Sequence, residues 1–274
     1  MSLAVVNRIN APPPGAVPLQ LDADTNVDRS VMYDYVRAAL ATGFTVLQQA
    51  GTVRSQPIVI VGSSPSLREF LPEIARRKAG GAHIMAIKGA HNVLVDAGCI
   101  PDSAVCADSQ AHNAGLIQPR LGVTYYLSTT CHPDTWQRFG NHAVVLWHPR
   151  IDQRQETDPA WRGVRRIWGG TTTGLRAIAL SWVLGFRDVT LVGMESCVTR
   201  NGVVKATGDK AHDDDQPFPV CFAGRWFLMT AALVAQVTDL MPTLKQCPGI
   251  KVDALGDGAL PHVLRTGKQL GWPV

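Results

Sequence analysis

An α/β fold, built on a mostly parallel sheet with helices on both faces, is predicted by three observations. Short aliphatic runs alternate with segments of helical periodicity from about residue 58 to residue 192. The run Ile58-Val59-Ile60-Val61 lacks the apolar–polar alternation of a half-exposed strand, so it reads as a strand buried on both faces, as central parallel strands are. Glycine-containing turns follow several of these runs, on the edge where a parallel sheet binds its ligands.

Taken in order, residues 1–27 contain Ala11-Pro12-Pro13-Pro14-Gly15 and read as an extended arm. Met32, Tyr35, Val36, Ala39 and Leu40 then recur at helical spacing, with Asp28 or Ser30 as the cap and Gly43 as the stop. Residues 1–54 are therefore expected to form an N-terminal arm and helix, ahead of an α/β domain over 55–274. Strand 58–61 leads into a helix over 65–78, kinked or restarted at Pro72 because proline cannot continue a helix ladder. Strands at 83–87, 103–107, 124–128 and 143–147 follow, separated by helices at 90–97 and 133–139. After a polar stretch from Arg150 to Trp161 come a short strand at 164–168, a helix at 174–184 and a strand at 189–192. The polar segment 199–220 reads as a long mobile loop. A helix is expected over 222–239, and a short strand with a Gly-rich turn over 252–260.

A hydrophobic fraction of 46% with 18% charged residues excludes a disordered chain. The net charge of +4 suits a phosphate-bearing ligand, but the basic residues are scattered, and no aromatic-and-basic stretch argues for a nucleic-acid acceptor. The six cysteines form no CxxC pair and no zinc spacing, so reduced thiols of a cytoplasmic protein are expected. No apolar run approaches a membrane span, and no membrane partner is expected. The composition leaves the oligomeric state open.

The strongest chemical signal is Val61-Gly62-Ser63-Ser64-Pro65-Ser66-Leu67. Gly62 permits a tight turn, Ser63, Ser64 and Ser66 offer hydroxyls, and Pro65 suits a first helical turn. A helix starting there aims unpaired amides and the positive end of its dipole at the turn, which is a cradle for phosphate. The loop is neither a dinucleotide fingerprint nor a Walker A loop, and an ordinary strand-to-helix turn has the same residues. If it is a cradle, Gly62→Val is expected to abolish binding and leave the fold in place.

Other candidates fall after other strands. Asp108, at a strand exit, suits a Mg²⁺ ion on donor phosphates or a ribose hydroxyl, and equally suits a helix cap. Glu195 suits an acceptor-orienting base or a Mg²⁺ ligand. Gly169-Gly170-Thr171-Thr172 opens an apolar helix, as either a second anion-binding turn or a close packing contact. His212, beside Asp213, Asp214 and Asp215, suits acid–base work from a mobile loop, against the plainer reading of a solvated acidic run. Lys88 suits a point charge on phosphate.

Three blocks in order resemble the archaeal 6-hydroxymethylpterin diphosphokinases of the MptE type, whose domain is shared with the Maf flagellin glycosyltransferases. They are Val61 to Leu67; Asp96-Ala97-Gly98-Cys99-Ile100-Pro101-Asp102 with Asp108 six residues on; and Gly169-Gly170-Thr171 through Leu184-Gly185-Phe186 to Leu191-Val192-Gly193-Met194-Glu195. Ala254-Leu255-Gly256-Asp257-Gly258 echoes the family's ending. The resemblance implies a Rossmann-like domain with the 62–66 loop on nucleotide phosphates. Where members carry Asn after the second strand, this chain has Ile87-Lys88-Gly89-Ala90-His91-Asn92, leaving Lys88 and Asn92 as the candidates; where members carry Asp, Glu195 moves the carboxylate by one methylene.

Three functions follow. A glycosyltransferase would take a nucleotide-activated sugar and a hydroxyl-bearing acceptor, with Glu195 or His212 as base. A pyrophosphokinase would take ATP and Mg²⁺, with Asp108 and Glu195 on the metal. A nucleotide-binding module would have no turnover. The first is favoured, because no dense cluster of carboxylates falls on the predicted strand ends.

Overall fold

The computed structural model describes residues 27–199, 201–206 and 216–269. Its first element, α1 (Arg29–Ala41), begins at Asp28, whose carboxylate accepts the Ser30 amide at 2.6 Å and so satisfies one of the orphan donors of the helix start. After it, β1 (Thr45–Val46) pairs in parallel with Val145 and Leu146. Although the domain was expected to start at residue 55, β1 is an edge of the same sheet and α1 packs on the later helix α4, so these segments are part of the α/β unit.

The central strand β2 (Ile58–Val61) is buried along its whole length. Its side chains alternate between two cores, Ile58 and Ile60 on one face and Val59 and Val61 on the other, as the period of two requires. Pro65–Phe70 is a 3₁₀ turn, and α2 (Leu71–Ala79) starts after it with Pro72 in its first turn, where the missing N–H has no helical partner to lose. β3 (His83–Ile87), α3 (Ala90–Asp96), β4 (Ser103–Cys106), β5 (Thr124–Ser128), α4 (Pro133–Gln137) and β6 (Ala143–Pro149) continue the alternation. The stretch expected to be irregular holds the short α5 (Arg154–Thr157), and β7 (Arg166–Ile167) follows with a parallel pairing to β6. α6 (Thr173–Val183) and β8 (Asp188–Val192) complete this part.

Residues 218–229 are not helical. β9 (Phe218–Phe222) and β10 (Arg225–Met229) form an antiparallel hairpin across Ala223-Gly224, both residues with positive φ, the twist a two-residue hairpin turn needs. Val220, Phe222, Phe227 and Met229 are buried in the core shared with α6. Only then come α7 (Ala231–Thr238) and α8 (Leu240–Lys245). β11 (Lys251–Ala254) lies where a strand was expected, and the tail adds α9 (Ala259–Gln269), which buries Leu260, Val263 and Leu264.

The large sheet runs β1-β6-β5-β4-β3-β2-β8-β11, with β7 added beside β6, and every pairing in it is parallel. Helices α6 to α9 cover one face and α1 to α3 the other. The order reverses between β2 and β8, the switch point outside whose carboxyl ends an open α/β sheet forms its ligand crevice. No helix among the described residues is long and apolar enough to cross a membrane.

Candidate functional site

A cleft of about 470 Å³ opens at this switch point. Pro65, Ser66, Glu69 and Phe70 line it from the turn after β2, Glu195, Cys197, Val198 and Thr199 contribute from the loop after β8, and Gly256 and Asp257 from the loop after β11.

Two glycines set the floor. Gly62 and Gly193, at the ends of β2 and β8, approach so closely that a Cβ on Gly62 would stand 2.4 Å from the Gly193 carbonyl oxygen, and one on Gly193 would stand 2.3 Å from that of Gly62. The Gly62 amide donates to the Val192 carbonyl at 2.8 Å and the Ser64 amide to the Gly193 carbonyl at 3.0 Å. These two amides therefore close the junction of the strands and do not face a ligand. Ser63 turns its carbonyl to the Ala206 amide, 2.7 Å away, which draws the segment after the β8 loop onto the turn.

Glu195 is held from three sides. Its amide donates to Ser64 Oγ at 3.2 Å, its carbonyl accepts the Leu260 amide at the start of α9, and its Oε1 accepts the Ser66 hydroxyl. The β11 loop packs on it so tightly that a Cβ on Gly256 would lie 2.4 Å from Oε1 and one on Gly258 2.3 Å from the Glu195 carbonyl oxygen. Only 6% of Glu195 is exposed, and Oε2 has no hydrogen-bond partner among the described residues. Ser196, next in the chain, has φ of +53°, and its buried hydroxyl is also without one. Backbone strain and unpaired polar atoms coincide where the cleft is deepest in carboxylate chemistry.

Asp108 lies on the same sheet edge but elsewhere along it. Three inter-strand spacings, about 14 Å, separate the ends of β4 and β8. The two carboxylates therefore do not share one Mg²⁺ ion, as the pyrophosphokinase reading required. Asp108 Oδ2 accepts from Lys88 Nζ at 2.6 Å, and its Oδ1 accepts the Gln110 amide. Burial raises its pKa, but the Lys88 ammonium and these hydrogen bonds outweigh that and hold the carboxyl below its usual range. Lys88 is thus engaged, and it holds a strained backbone at φ of +46°.

Asn92 braces the loop ahead of β5, accepting the Gln118 amide at 3.0 Å and donating to the Leu116 carbonyl at 3.1 Å. In the glycine turn before α6, the Thr171 amide donates to Asp239 Oδ2 at 3.2 Å, and a Cβ on Gly169 would meet the Arg176 Cα at 2.6 Å. Thr172 caps α6 by accepting the Leu175 amide. Close packing thus accounts for both glycines and for one of the amides expected to face an anion. His212 and Asp213 to Asp215 lie outside the described residues.

The magnesium expectation is tested by the donors present. Among the described residues no three His, Cys, Asp or Glu side chains converge on a metal position. Mg²⁺ needs fewer, being bound through one or two carboxylates together with water and substrate phosphate. Glu195 fits that requirement through its unpartnered Oε2, whereas Asp108 is already neutralised by Lys88.

The sequence matches the family model described as 6-hydroxymethylpterin diphosphokinase MptE-like over residues 36–201, more than half of the chain. The chain belongs to the MptE-like family. No curated protein matches it in sequence. Among solved structures, the MptE-like chain is similar to the Maf glycosyltransferase from Magnetospirillum magneticum AMB-1, with a TM-score of 0.61 and 18% identity, covering 83% of this chain and 37% of that one. It thus spans little more than a third of that protein's length, and the likeness is one of fold. The family match ends at residue 201, so the loop after β11, which supplies Gly256 and Asp257 to the cleft, lies beyond it.

Sequence reasoning missed the β11 side of the cleft as a wall, although the Gly256-Asp257-Gly258 doublet was its signal. It also missed Glu69, Phe70 and Cys197. The Cys197 thiol is pushed up by burial and by the neighbouring Glu195.

Proposed function

We propose that the protein is a nucleotide-dependent transferase that moves a glycosyl group from a nucleotide-activated sugar to a hydroxyl acceptor, in the cleft outside the ends of β2, β8 and β11. The observation that carries this reading is the unpartnered, buried Glu195 Oε2 at the topological switch point. Ser66 fixes Oε1, so the carboxylate is oriented with one oxygen ready to accept a proton. In the step proposed, the acceptor hydroxyl passes its proton to Oε2 as its oxygen bonds to the anomeric carbon. The bond from that carbon to the donor phosphate breaks, and its electron pair leaves with the nucleotide. The family membership and the likeness to a glycosyltransferase fold support a transferase.

The family's name supports a second reading, diphosphoryl transfer from ATP. Glu195 would then hold Mg²⁺, which supplies neutralisation of the phosphate charge, while Ser66 keeps the carboxylate oriented.

A thermal-shift panel of nucleotide sugars and ATP separates the two, since a ligand at about 100 times its Kd stabilises by about 2.7 kcal/mol. Stabilisation by a nucleotide sugar, with free nucleotide released on adding acceptor, is expected. Stabilisation by ATP alone, with AMP released, selects diphosphoryl transfer. A panel in which no nucleotide raises the melting temperature rejects both.

A further inference from the structure

None of the ten residues lining the cleft carries a positive charge, and Glu69, Glu195 and Asp257 carry negative ones. A phosphate-bearing donor needs a cation there. Two arginines pair with the lining residue Asp257. Arg225 grips its carboxylate with both arms, Nη1 to Oδ1 at 2.6 Å and Nη2 to Oδ2 at 2.9 Å. Arg265 approaches the same Oδ1 to 3.6 Å and donates its other nitrogen to the Gly256 carbonyl at 3.0 Å. The Arg225 guanidinium also lies over the Phe227 ring, 5.0 Å from its centroid, which fixes the plane of the fork.

We propose that Arg225 and Arg265 form an anion subsite at the rim of the cleft that takes a phosphate of a diphosphate group, and that Asp257 holds the place of that phosphate. The subsite deepens the donor-binding reading given above and rests on it for the identity of the diphosphate as part of a nucleotide donor.

Three features support the exchange. Carboxylate and phosphate oxygens both match the two-pronged guanidinium fork, so one can replace the other without rebuilding the site. The Asp257 side chain is 72% exposed, and an exposed ion pair is weak, so its release into water is a small step. Gly256 and Gly258 are pinned against Glu195, so the strap stays in place while the Asp257 side chain alone rotates away. All three residues of the subsite lie beyond the segment that matches the family model.

Inorganic pyrophosphate, titrated calorimetrically into the full chain, tests this. Asp257→Asn removes the competing charge and is expected to tighten binding by up to about fivefold. The double variant R225Q/R265Q is expected to weaken it by about tenfold or more. Arg225→Lys, which keeps the charge and loses the fork, should fall between wild type and the double variant. Unchanged or weaker binding by Asp257→Asn, or wild-type affinity in R225Q/R265Q, overturns the proposal; if the double variant does not fold, the two single variants decide. The nucleotide panel separates this from the donor reading. Equal stabilisation of wild type and R225Q/R265Q by a nucleotide sugar leaves the donor reading standing and removes the subsite. Arginine-dependent pyrophosphate binding without any nucleotide binding does the reverse.

Discussion

Ser66 donates its hydroxyl to Glu195 Oε1 across the junction of β2 and β8, and Oε2, buried, is the carboxylate oxygen without a hydrogen-bond partner among the described residues. If Oε2 takes the acceptor proton, Glu195→Gln keeps the shape and the Ser66 contact but loses the base. Transfer is then expected to fall by about two to four orders of magnitude, with donor binding and melting temperature little changed. Retention of activity within tenfold assigns the proton to another group. Ser66→Ala deprives a buried charged acceptor of its donor, which destabilises by about 1–3 kcal/mol. It should lower kcat more than it raises KM, because the carboxylate is then present but no longer oriented.

Gly62 gives a different kind of prediction. A valine there was expected to be a clean probe of phosphate binding, but any Cβ stands 2.4 Å from the Gly193 carbonyl oxygen and 2.7 Å from Met194 Cγ. Backbone cannot yield as a side chain tip can. Even Gly62→Ala is expected to lower stability by about 1–3 kcal/mol, read as a drop in the denaturant midpoint, as an overpacked core does. A fully stable alanine variant would show that the strand ends have room to part.

How much of this was legible in the sequence depended on how local the signal was. β2, β3 and β5 were read to the residue, because continuous β-branched or alternating runs bounded by turns have few other interpretations. The break at Pro72 is also legible, since proline acts within one turn, but whether it kinks or restarts the helix is not. The hairpin at 218–229 falls where the sequence suggests the end of a loop over 199–220 and the start of a helix over 222–239: its Ala223-Gly224 turn lacks the Asn-Gly signal, and Phe222, Trp226 and Phe227 also fit helical spacing. At the site, Glu195 and Ser66 were named singly, but their contact spans 129 positions of sequence and depends on β8 lying next to β2. The spending of Thr171 on Asp239 and of Asn92 on the 116–118 loop is likewise a tertiary fact that no local pattern encodes.

The Lys88–Asp108 pair predicts a pH dependence with a definite sign. Both side chains are less than one-third exposed, and the folded Asp108 pKa is depressed. Its contribution is therefore present above the ordinary carboxylate value near 3.8 and is lost as pH falls through the lower folded value. Asp108→Asn is expected to lower stability at neutral pH by about 1–3 kcal/mol and to flatten the loss below about pH 4. In Lys88→Met, burial acts on Asp108 without its cation, so its pKa should rise and its stabilising effect should reverse. Urea melts between about pH 3 and pH 6 check both; parallel curves for wild type and Asp108→Asn would remove the pair from the pH response.

His148, at the carboxyl end of β6, provides a second window at higher pH. It is 5% exposed, its Nδ1 lies 3.1 Å from Thr129 Oγ1, and Trp161 closes over it edge-on at 5.0 Å. Burial pushes its pKa down to about 4, so the folded protein holds it neutral where the unfolded chain, with the ordinary value of 6.5, takes up a proton. The unfolded state then binds more protons between those values, and stability falls as pH drops from about 6.5 towards 4, by a total of order 3 kcal/mol. His148→Gln keeps a polar atom within reach of Thr129 and cannot titrate. The variant should lose the part of the slope that lies between about pH 4 and 6.5 while keeping the Asp108 response below it. An unaltered slope in that window would mean that the imidazole is protonated in the folded protein as readily as in the unfolded chain.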